Sequence, residues 1–130
     1  MKQILISIVI LMLILPLMAQ DADRITGVWF NGEKTSKIEI SRTKSGSYVG
    51  NIVWLKEPNN EKGVPKTDYK NPEASLRNRP LLGLQILSGL KYDGKRKYSD
   101  GKIYDPKSGK TYSAKAELTN NNTLALRGFI

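Results

Sequence analysis

The sequence predicts an all-β, antiparallel domain, most simply an up-and-down β-barrel of about eight strands. Short segments rich in β-branched and aromatic residues alternate with turn signals along most of the chain. No long segment has the periodicity of a helix, and no segment repeats. Sequential hairpins can form either a sandwich or a closed up-and-down barrel. The barrel is favoured, because short connections suit a meander and closure removes exposed edges.

The clearest element is a β-hairpin between Gly101 and Leu118. Asp105-Pro106 opens its turn and Gly109 ends it, so residues 106–109 form the predicted loop. The resulting register divides the hairpin into two faces with a period of two residues. The face predicted to cover the core carries Gly101, Ile103, Tyr112, Ala114, Ala116 and Leu118, and the solvent face carries Lys102, Tyr104, Thr111, Ser113, Lys115 and Glu117.

The other strand candidates follow the same reasoning in chain order. They cover residues 25–30, 37–41, 48–55, 82–92, 95–99 and 123–130. Turns are predicted between them at Asn31-Gly32, 44–47, Asp93-Gly94, Asp100-Gly101 and 120–122. In the strand over 48–55, the alternation predicts that Tyr48, Ile52 and Trp54 share the inward face.

Residues 56–80 interrupt the meander with a long connection rich in proline and charge. A connection of this length inside a compact domain is usually functional or disordered. Pro72 suits the first helical position behind Asn71 as the N-cap, and Pro80 would end the segment. The spacing therefore predicts one short helix over Glu73–Asn78.

The N-terminal segment has the pattern of a signal peptide. Lys2 precedes an apolar run over Ile4–Leu15, and Leu17-Met18-Ala19 forms an acceptable cleavage site before Gln20. The alternative is a retained membrane anchor, but the run is shorter than the roughly 20 residues of a spanning helix. We therefore expect residues 1–19 to be removed and residues 20–130 to form one domain that is periplasmic or secreted. Only the signal segment is expected to contact a membrane.

Composition excludes several kinds of chemistry. The chain has no Cys and no His, which removes disulfides, the usual zinc sites and histidine-based catalysis. The formal net charge of +9 would suit anionic partners, but a soluble surface rich in lysine is the favoured explanation, since the basic residues are spread along the chain. We expect no cofactor and no metal, and export argues against nucleic acid. The oligomeric state is left open.

The chain resembles a known family over nearly all of its length after the predicted signal. Gly27-Val-Trp29 looks like the Gly-x-Trp motif that opens lipocalin barrels. A more specific series resembles the small secreted bacterial domain-of-unknown-function family 2147, whose fold is similar to that of lipocalins. This series comprises Gly50-Asn-Ile-Val-Trp54, Asp68, Asn71-Pro72, Arg77, Arg79-Pro-Leu81, Gly83, Gly101-Lys-Ile-Tyr-Asp-Pro106, Gly109-Lys-Thr-Tyr112 and Leu126-Arg-Gly128.

The resemblance implies a lipocalin-like barrel that is exported. Members of the family usually continue past Arg127-Gly128 through another strand, whereas this sequence ends at Ile130. In lipocalin-like barrels a late arginine typically stacks on the tryptophan of the Gly-x-Trp motif, and it is missing here. We therefore expect incomplete closure against the first strand.

The leading functional hypothesis is a small apolar or amphipathic ligand held inside the barrel. Small barrels either fill with side chains or hold one small ligand, and the same alternation serves both. The competing hypothesis is a structural or interaction module of the envelope with a filled core. The inward-facing candidates for ligand contact are Trp54, Ile86, Ile103, Tyr112, Ala114, Ala116 and Leu126.

Two further groups of residues have a possible functional role. Arg77 and Arg79 are candidates to bind a carboxylate or phosphate head group, with pairing to Asp68 or Glu73 as the structural alternative. Catalysis would need carboxylates in acid and base roles, for which the candidates are Asp68, Asp100 and Asp105. No nucleophile motif or phosphate loop is present, so a carboxylate-based hydrolase is a disfavoured hypothesis.

Overall fold

A computed structural model describes residues 21–130, which form one antiparallel sheet of seven strands in chain order. The predicted all-β, up-and-down fold class is confirmed, whereas the predicted signal peptide lies outside the described residues. Two single turns of 3₁₀ helix accompany the sheet. The elements are η1 (Asp23–Ile25), β1 (Gly27–Phe30), β2 (Ser36–Arg42), β3 (Tyr48–Leu55), η2 (Ala74–Leu76), β4 (Gln85–Gly94), β5 (Lys97–Asp105), β6 (Lys110–Asn120) and β7 (Thr123–Phe129).

The sheet curls strongly into a half-barrel. The rings of Tyr48 on β3 and Tyr98 on β5 meet edge to face at 5.7 Å, although β4 lies between these strands. Further along the strand order, on the same concave face, a Cβ placed on Gly128 of β7 would come within 3.3 Å of Ile103 on β5, although β6 lies between these strands. Within residues 21–130, β1 and β7 are the outer strands and do not pair with each other, so the half-barrel is open at this seam.

The 3₁₀ turn η1 covers one end of the half-barrel, which we call the closed end. Ile25 is fully buried there, and Trp29 Nε1 donates a hydrogen bond to its carbonyl at 2.8 Å. Two tyrosines tie η1 to the sheet: Tyr98 Oη donates to the Ala22 carbonyl and Tyr48 Oη to Asp23 Oδ1, each at 2.6 Å. The buried core fills this end of the concave face and comprises Ile25, Ile40, Tyr48, Leu87, Leu90, Tyr98, Ala114, Ala116 and Leu118.

The predicted central hairpin is confirmed residue by residue. Ile103 pairs with Tyr112, Tyr104 with Thr111 and Asp105 with Lys110. Asp105 caps the turn, accepting hydrogen bonds from the Lys107 amide and the Ser108 hydroxyl. The turn lies at the open end of the half-barrel, opposite η1.

The count of eight strands becomes seven because Asp100-Gly101 does not turn the chain. β5 runs through these residues, and Asp100 adopts a left-handed conformation (φ 61°) at a shift in register against β6. This bulge lets Tyr98 and Gly101, three positions apart, both face the core. The preceding turn is also displaced: β4 continues to Gly94, and the two-residue connection is Lys95-Arg96 instead of Asp93-Gly94.

The helix predicted over Glu73–Asn78 is wrong beyond one turn. The predicted N-cap role of Asn71 is wrong: its Oδ1 accepts the Glu73 amide at 2.8 Å in a turn that precedes η2, whereas the N-cap position of η2 is Glu73, which makes no side-chain capping bond. The chain then makes only the 3₁₀ turn η2, and the Arg79 carbonyl accepts the Asp68 amide instead of continuing a helix. Pro80 disfavours helical backbone at Arg79, so the segment does not resume a helix there.

Candidate functional site

The open half of the concave face presents an apolar surface above the filled closed end. We call the half-buried residues Ile38, Ile103, Tyr112 and Leu126 the concave apolar surface. Ala114 is 1% exposed and lies below it in the core. The inward orientation predicted for Ile103, Tyr112, Ala114, Ala116 and Leu126 is confirmed by their register and burial. Their role as ligand contacts stays a prediction.

Trp54 faces the outside of the sheet, so its predicted inward orientation is wrong. It lies beside Lys37 in the register and contacts the ring of Phe30 edge to face at 6.0 Å. Phe30 lies on the outer face, since its neighbour Trp29 packs on the core. The register shifts between the Ile38–Ile52 pair and the Lys37–Trp54 pair, which leaves Val53 as an extra residue. This bulge reverses the alternation and turns Trp54 outward.

Ile86 also lies on the outer face, contrary to the prediction. The long connection between β3 and β4 covers the outer surface of β4, β5 and β6 and encloses a groove of about 310 Å³. Ile86 lines this groove together with Arg79, Lys102, Tyr104 and Thr111. A register shift in β4 between its Leu87 and Leu90 pairings to β3 accounts for the error. Both leucines face the core although they are three positions apart, so Ile86, next to Leu87, is turned outward.

A fully buried carboxylate, Asp68, anchors the long connection to the sheet. Its Oδ1 accepts the Tyr104 hydroxyl at 2.6 Å. Its Oδ2 accepts Asn71 Nδ2 at 2.8 Å and Arg79 Nε at 3.0 Å, and Arg79 Nη2 lies 3.0 Å away. Both oxygens are therefore satisfied by side chains of the connection and of β5.

This network changes the acidity of its members. Burial alone would raise the pKa of Asp68, but hydrogen bonds from Tyr104, Asn71 and Arg79 outweigh it and hold the pKa below its usual value. Burial and the bond to Asp68 raise the pKa of Tyr104 to about 12. At the closed end, burial and the neighbouring Asp23 raise the pKa of Tyr48. These groups therefore keep the charge states that their hydrogen bonds require at neutral pH.

Arg77 and Arg79 both serve the long connection. The alternative of a structural pair is confirmed for Arg79 with Asp68. Arg77 instead donates to the carbonyls of Asn71 and Pro72, at 2.7 and 3.4 Å. Arg79 lines the outer groove, so it lies across the sheet from the concave apolar surface. The predicted ligand residues thus fall on two faces, and the structure does not bring them together.

The carboxylates considered for catalysis have separate surroundings. Asp68 is enclosed by its hydrogen bonds, Asp105 caps the hairpin turn, and Asp100 lies at the bulge of β5. Between residues 21 and 130, no group of three or more Asp, Glu, His or Cys side chains is placed to hold a metal ion. The same part of the chain contains no helix long and apolar enough to cross a membrane.

Sequence reasoning missed the role of Tyr104. The period-two pattern assigned it to a solvent face, yet it is half-buried under the long connection. The available signal was the presence of a tyrosine and a long polar connection in one domain, since a buried tyrosine hydroxyl usually finds a partner.

Comparison with known proteins agrees with this geometry. Residues 27–130 match the family described as "Uncharacterized protein conserved in bacteria (DUF2147)". Among solved structures, the protein HP1028 from the human pathogen Helicobacter pylori, described as belonging to the lipocalin family, is similar with a TM-score of 0.61 and 31% identity. The match covers 72% of this chain and 60% of that protein. None of the curated proteins matches.

Proposed function

Because the chain belongs to the DUF2147 family and has a lipocalin-like fold, we propose that it binds a small apolar or amphipathic molecule on the concave apolar surface. The observation that carries this proposal is the contrast between the two halves of the concave face. The closed end is filled by fully buried side chains, whereas Ile103, Tyr112 and Leu126 are only partly buried towards the open end. Ligand sites in small proteins are typically concave and mostly apolar.

The proposal concerns binding and not catalysis. Asp68 and Asp105 are occupied by structural hydrogen bonds, and the concave apolar surface carries no ionisable group other than the Tyr112 phenol. The ligand is therefore held through burial of apolar area, at roughly 25 cal/mol per Å². Arg79 plays no part in holding its head group, because that side chain lies on the outer face.

The two tryptophans of the chain provide a direct test, because they report on opposite faces. Trp29 packs against the core on the concave side, and Trp54 lies outside beside Phe30. In the Trp54→Phe variant, a brominated fatty acid bound on the concave face should quench the fluorescence of Trp29. In the Trp29→Phe variant, the same probe should leave Trp54 nearly unaffected. Quenching of Trp54 alone would contradict the proposed location.

A matched pair of variants on β6 distinguishes a charge placed in the proposed site from the same charge placed elsewhere on the protein. Tyr112→Asp places a carboxylate on the concave apolar surface. Thr111→Asp places a carboxylate at the adjacent residue, which lies on the outer face of the sheet. We expect Tyr112→Asp to weaken binding about tenfold or more, since a charge in an apolar site is poorly solvated. Thr111→Asp should bind as the unmodified protein does.

A second candidate function, an interaction module of the envelope, is favoured by the outer face at the β1 edge. Val28 and Phe30 are 53% and 52% exposed, and Lys37 Nζ lies 4.7 Å from the centre of the Phe30 ring. Exposed apolar patches of this kind mark contacts with other proteins. A Phe30→Ser variant that no longer associates with a partner, while still binding the fatty acid, would support this second function.

We also propose that the protein acts after export. The support is the sequence of residues 1–19, with its apolar run and the cleavage site at Leu17-Met18-Ala19. Mass spectrometry of the protein from its native cell should give the mass of a chain that begins at Gln20. The intact mass of the whole sequence would contradict export with cleavage.

A further inference from the structure

The closed end carries a basic recess that the proposed ligand surface does not use. Arg24, Arg96, Asn120 and Asn121 line this recess together with Leu118, and its volume is about 520 Å³. It lies at the opposite end of β5 from Ile103 and Tyr112. A result at one of the two sites therefore does not decide the other.

Three separate segments are held together to form the basic recess. Arg24 belongs to η1, Arg96 to the turn between β4 and β5, and the asparagines to the end of β6 and the turn that follows. The Leu118 amide donates to the Arg96 carbonyl at 2.9 Å, which fixes the first turn against β6. The bond from Tyr98 Oη to the Ala22 carbonyl fixes η1 over the same end.

The turn that carries Arg96 is strained. Lys95 and Arg96 both have left-handed backbones, with φ values of 52° and 64°. A two-residue hairpin turn of this kind strongly favours Asn-Gly, because asparagine and glycine adopt positive φ at little cost. Two long basic side chains occupy these positions instead. Strain that persists at named residues points to a function for their side chains.

Cations outnumber anions around the turn. Residues 91–97 contain Lys91, Lys95, Arg96 and Lys97 against a single acid, Asp93. Arg24 has one exposed partner, Asp21, at 3.3 Å, and the register places Glu117 opposite Lys97. In the part of the chain that the structure describes, Arg96 forms no ion pair. Its guanidinium is therefore available to an external anion.

We propose that the basic recess binds a phosphate group. The planar guanidinium forks of Arg24 and Arg96 match the oxygens of a phosphate, and the side-chain amides of Asn120 and Asn121 add neutral donors. The group is either the head group of an anionic phospholipid or part of a soluble phosphorylated compound. The recognition chemistry is the same for both sources.

The test uses a variant that should keep or improve folding while removing the cations. Lys95→Asn with Arg96→Gly installs the residues that the turn favours, so the Tm should rise. Binding is measured by sedimentation with vesicles of phosphatidylcholine containing phosphatidylglycerol, and by NMR titration with inorganic phosphate. We expect about 25-fold weaker vesicle binding, because each basic residue near an anionic membrane contributes about fivefold in affinity. Arg24→Gln, which leaves the turn unchanged, should weaken binding about fivefold.

The matched control removes two positive charges that do not line the basic recess. Lys34→Gly with Lys62→Gln includes Lys34, which is also left-handed (φ 57°), and should bind vesicles within about twofold of the unmodified protein. Selective loss in the turn variant supports a lipid head group. Phosphate-induced shifts of the amides of Arg96, Asn120 and Asn121, without vesicle binding, support a soluble source. Equal weakening in both double variants, or no response to either probe, overturns the proposal.

Discussion

At the scale of single residues, the buried Asp68 decides how the long connection is held. A buried carboxylate is costly unless it is paired and hydrogen-bonded, and Asp68 has partners on both oxygens. The sequence predicts this pairing with Arg79 as the structural alternative, because a long proline-rich connection needs tethering to stay ordered. Tyr104 could not be assigned from the pattern, because its partner lies 36 residues earlier in the chain and outside the sheet.

Tyr104→Phe tests how much the hydrogen bond from Tyr104 to Asp68 contributes to stability. The substitution keeps the ring but removes one donor to a buried carboxylate. It should lower the free energy of unfolding by about 1.5 to 3 kcal/mol. Urea denaturation followed by circular dichroism measures the change. The control is Tyr69→Phe at a ring that is 68% exposed, which should change stability by less than about 0.5 kcal/mol.

The acidity of Asp68 predicts a pH dependence of stability. Its pKa is lower in the folded protein than in the unfolded chain, so the folded state holds the charged form more strongly. The contribution is therefore fully present above the unfolded pKa of about 4 and is lost as the pH falls towards the folded value. Comparing the urea midpoints of the protein and of Asp68→Asn between neutral and acidic pH isolates the contribution of the Asp68 carboxylate to stability.

The Asp68→Asn variant should be less stable by about 2 to 4 kcal/mol at neutral pH, because Arg79 loses its buried counter-charge. The difference between the two proteins should shrink below about pH 4. A difference that stays constant across this range would contradict the assigned role of the carboxylate.

At the scale of elements, the long connection packs against the turn of the central hairpin. A Cβ placed on Gly109 would approach the Lys70 carbonyl oxygen far inside contact distance, and the backbone there is left-handed (φ 73°). Gly63 has nearly the same φ of 74°, but nothing lies within 4 Å of its Cβ position. The two glycines therefore separate the cost of conformation from the cost of contact.

Gly109→Ala should destabilise the protein by about 3 kcal/mol or more, since the left-handed backbone and the overlap with Lys70 both contribute. Gly63→Ala should cost only about 1 to 2 kcal/mol, which is the conformational part alone. Thermal unfolding of both variants provides the comparison. Equal losses would show that the connection does not pack on the hairpin turn as described.

The presence of the strands was predictable from the sequence. Which side of the sheet a side chain faces was not predictable wherever a bulge occurs. Alternation located the central hairpin and its register because no residue interrupts the pairing between Gly101 and Ala114. It failed at Trp54 and Ile86, where register shifts change the parity of the strand. Asp100-Gly101 resembles a turn in sequence, but the left-handed backbone of Asp100 forms a bulge within β5 instead. Local residue types do not distinguish these two uses.

At the scale of the whole molecule, the half-barrel divides into a filled end and an open apolar end. The sequence predicted the barrel type and most of the concave residues, but it left a filled core and a cavity equally possible. The structure adds that the filling is confined to the end under η1, where Tyr48 and Tyr98 occupy the interior. The long connection lies outside and does not contribute to the concave face.

Native mass spectrometry of the protein, purified from its cells without detergent, tests the central claim most directly. We expect a reproducible additional mass of a small organic molecule that is lost on denaturation and is absent from Tyr112→Asp. Thr111→Asp, with its new charge on the outer face, should retain the additional mass. A bare protein mass that persists after fatty acids and lipids are added would contradict ligand binding on the concave face.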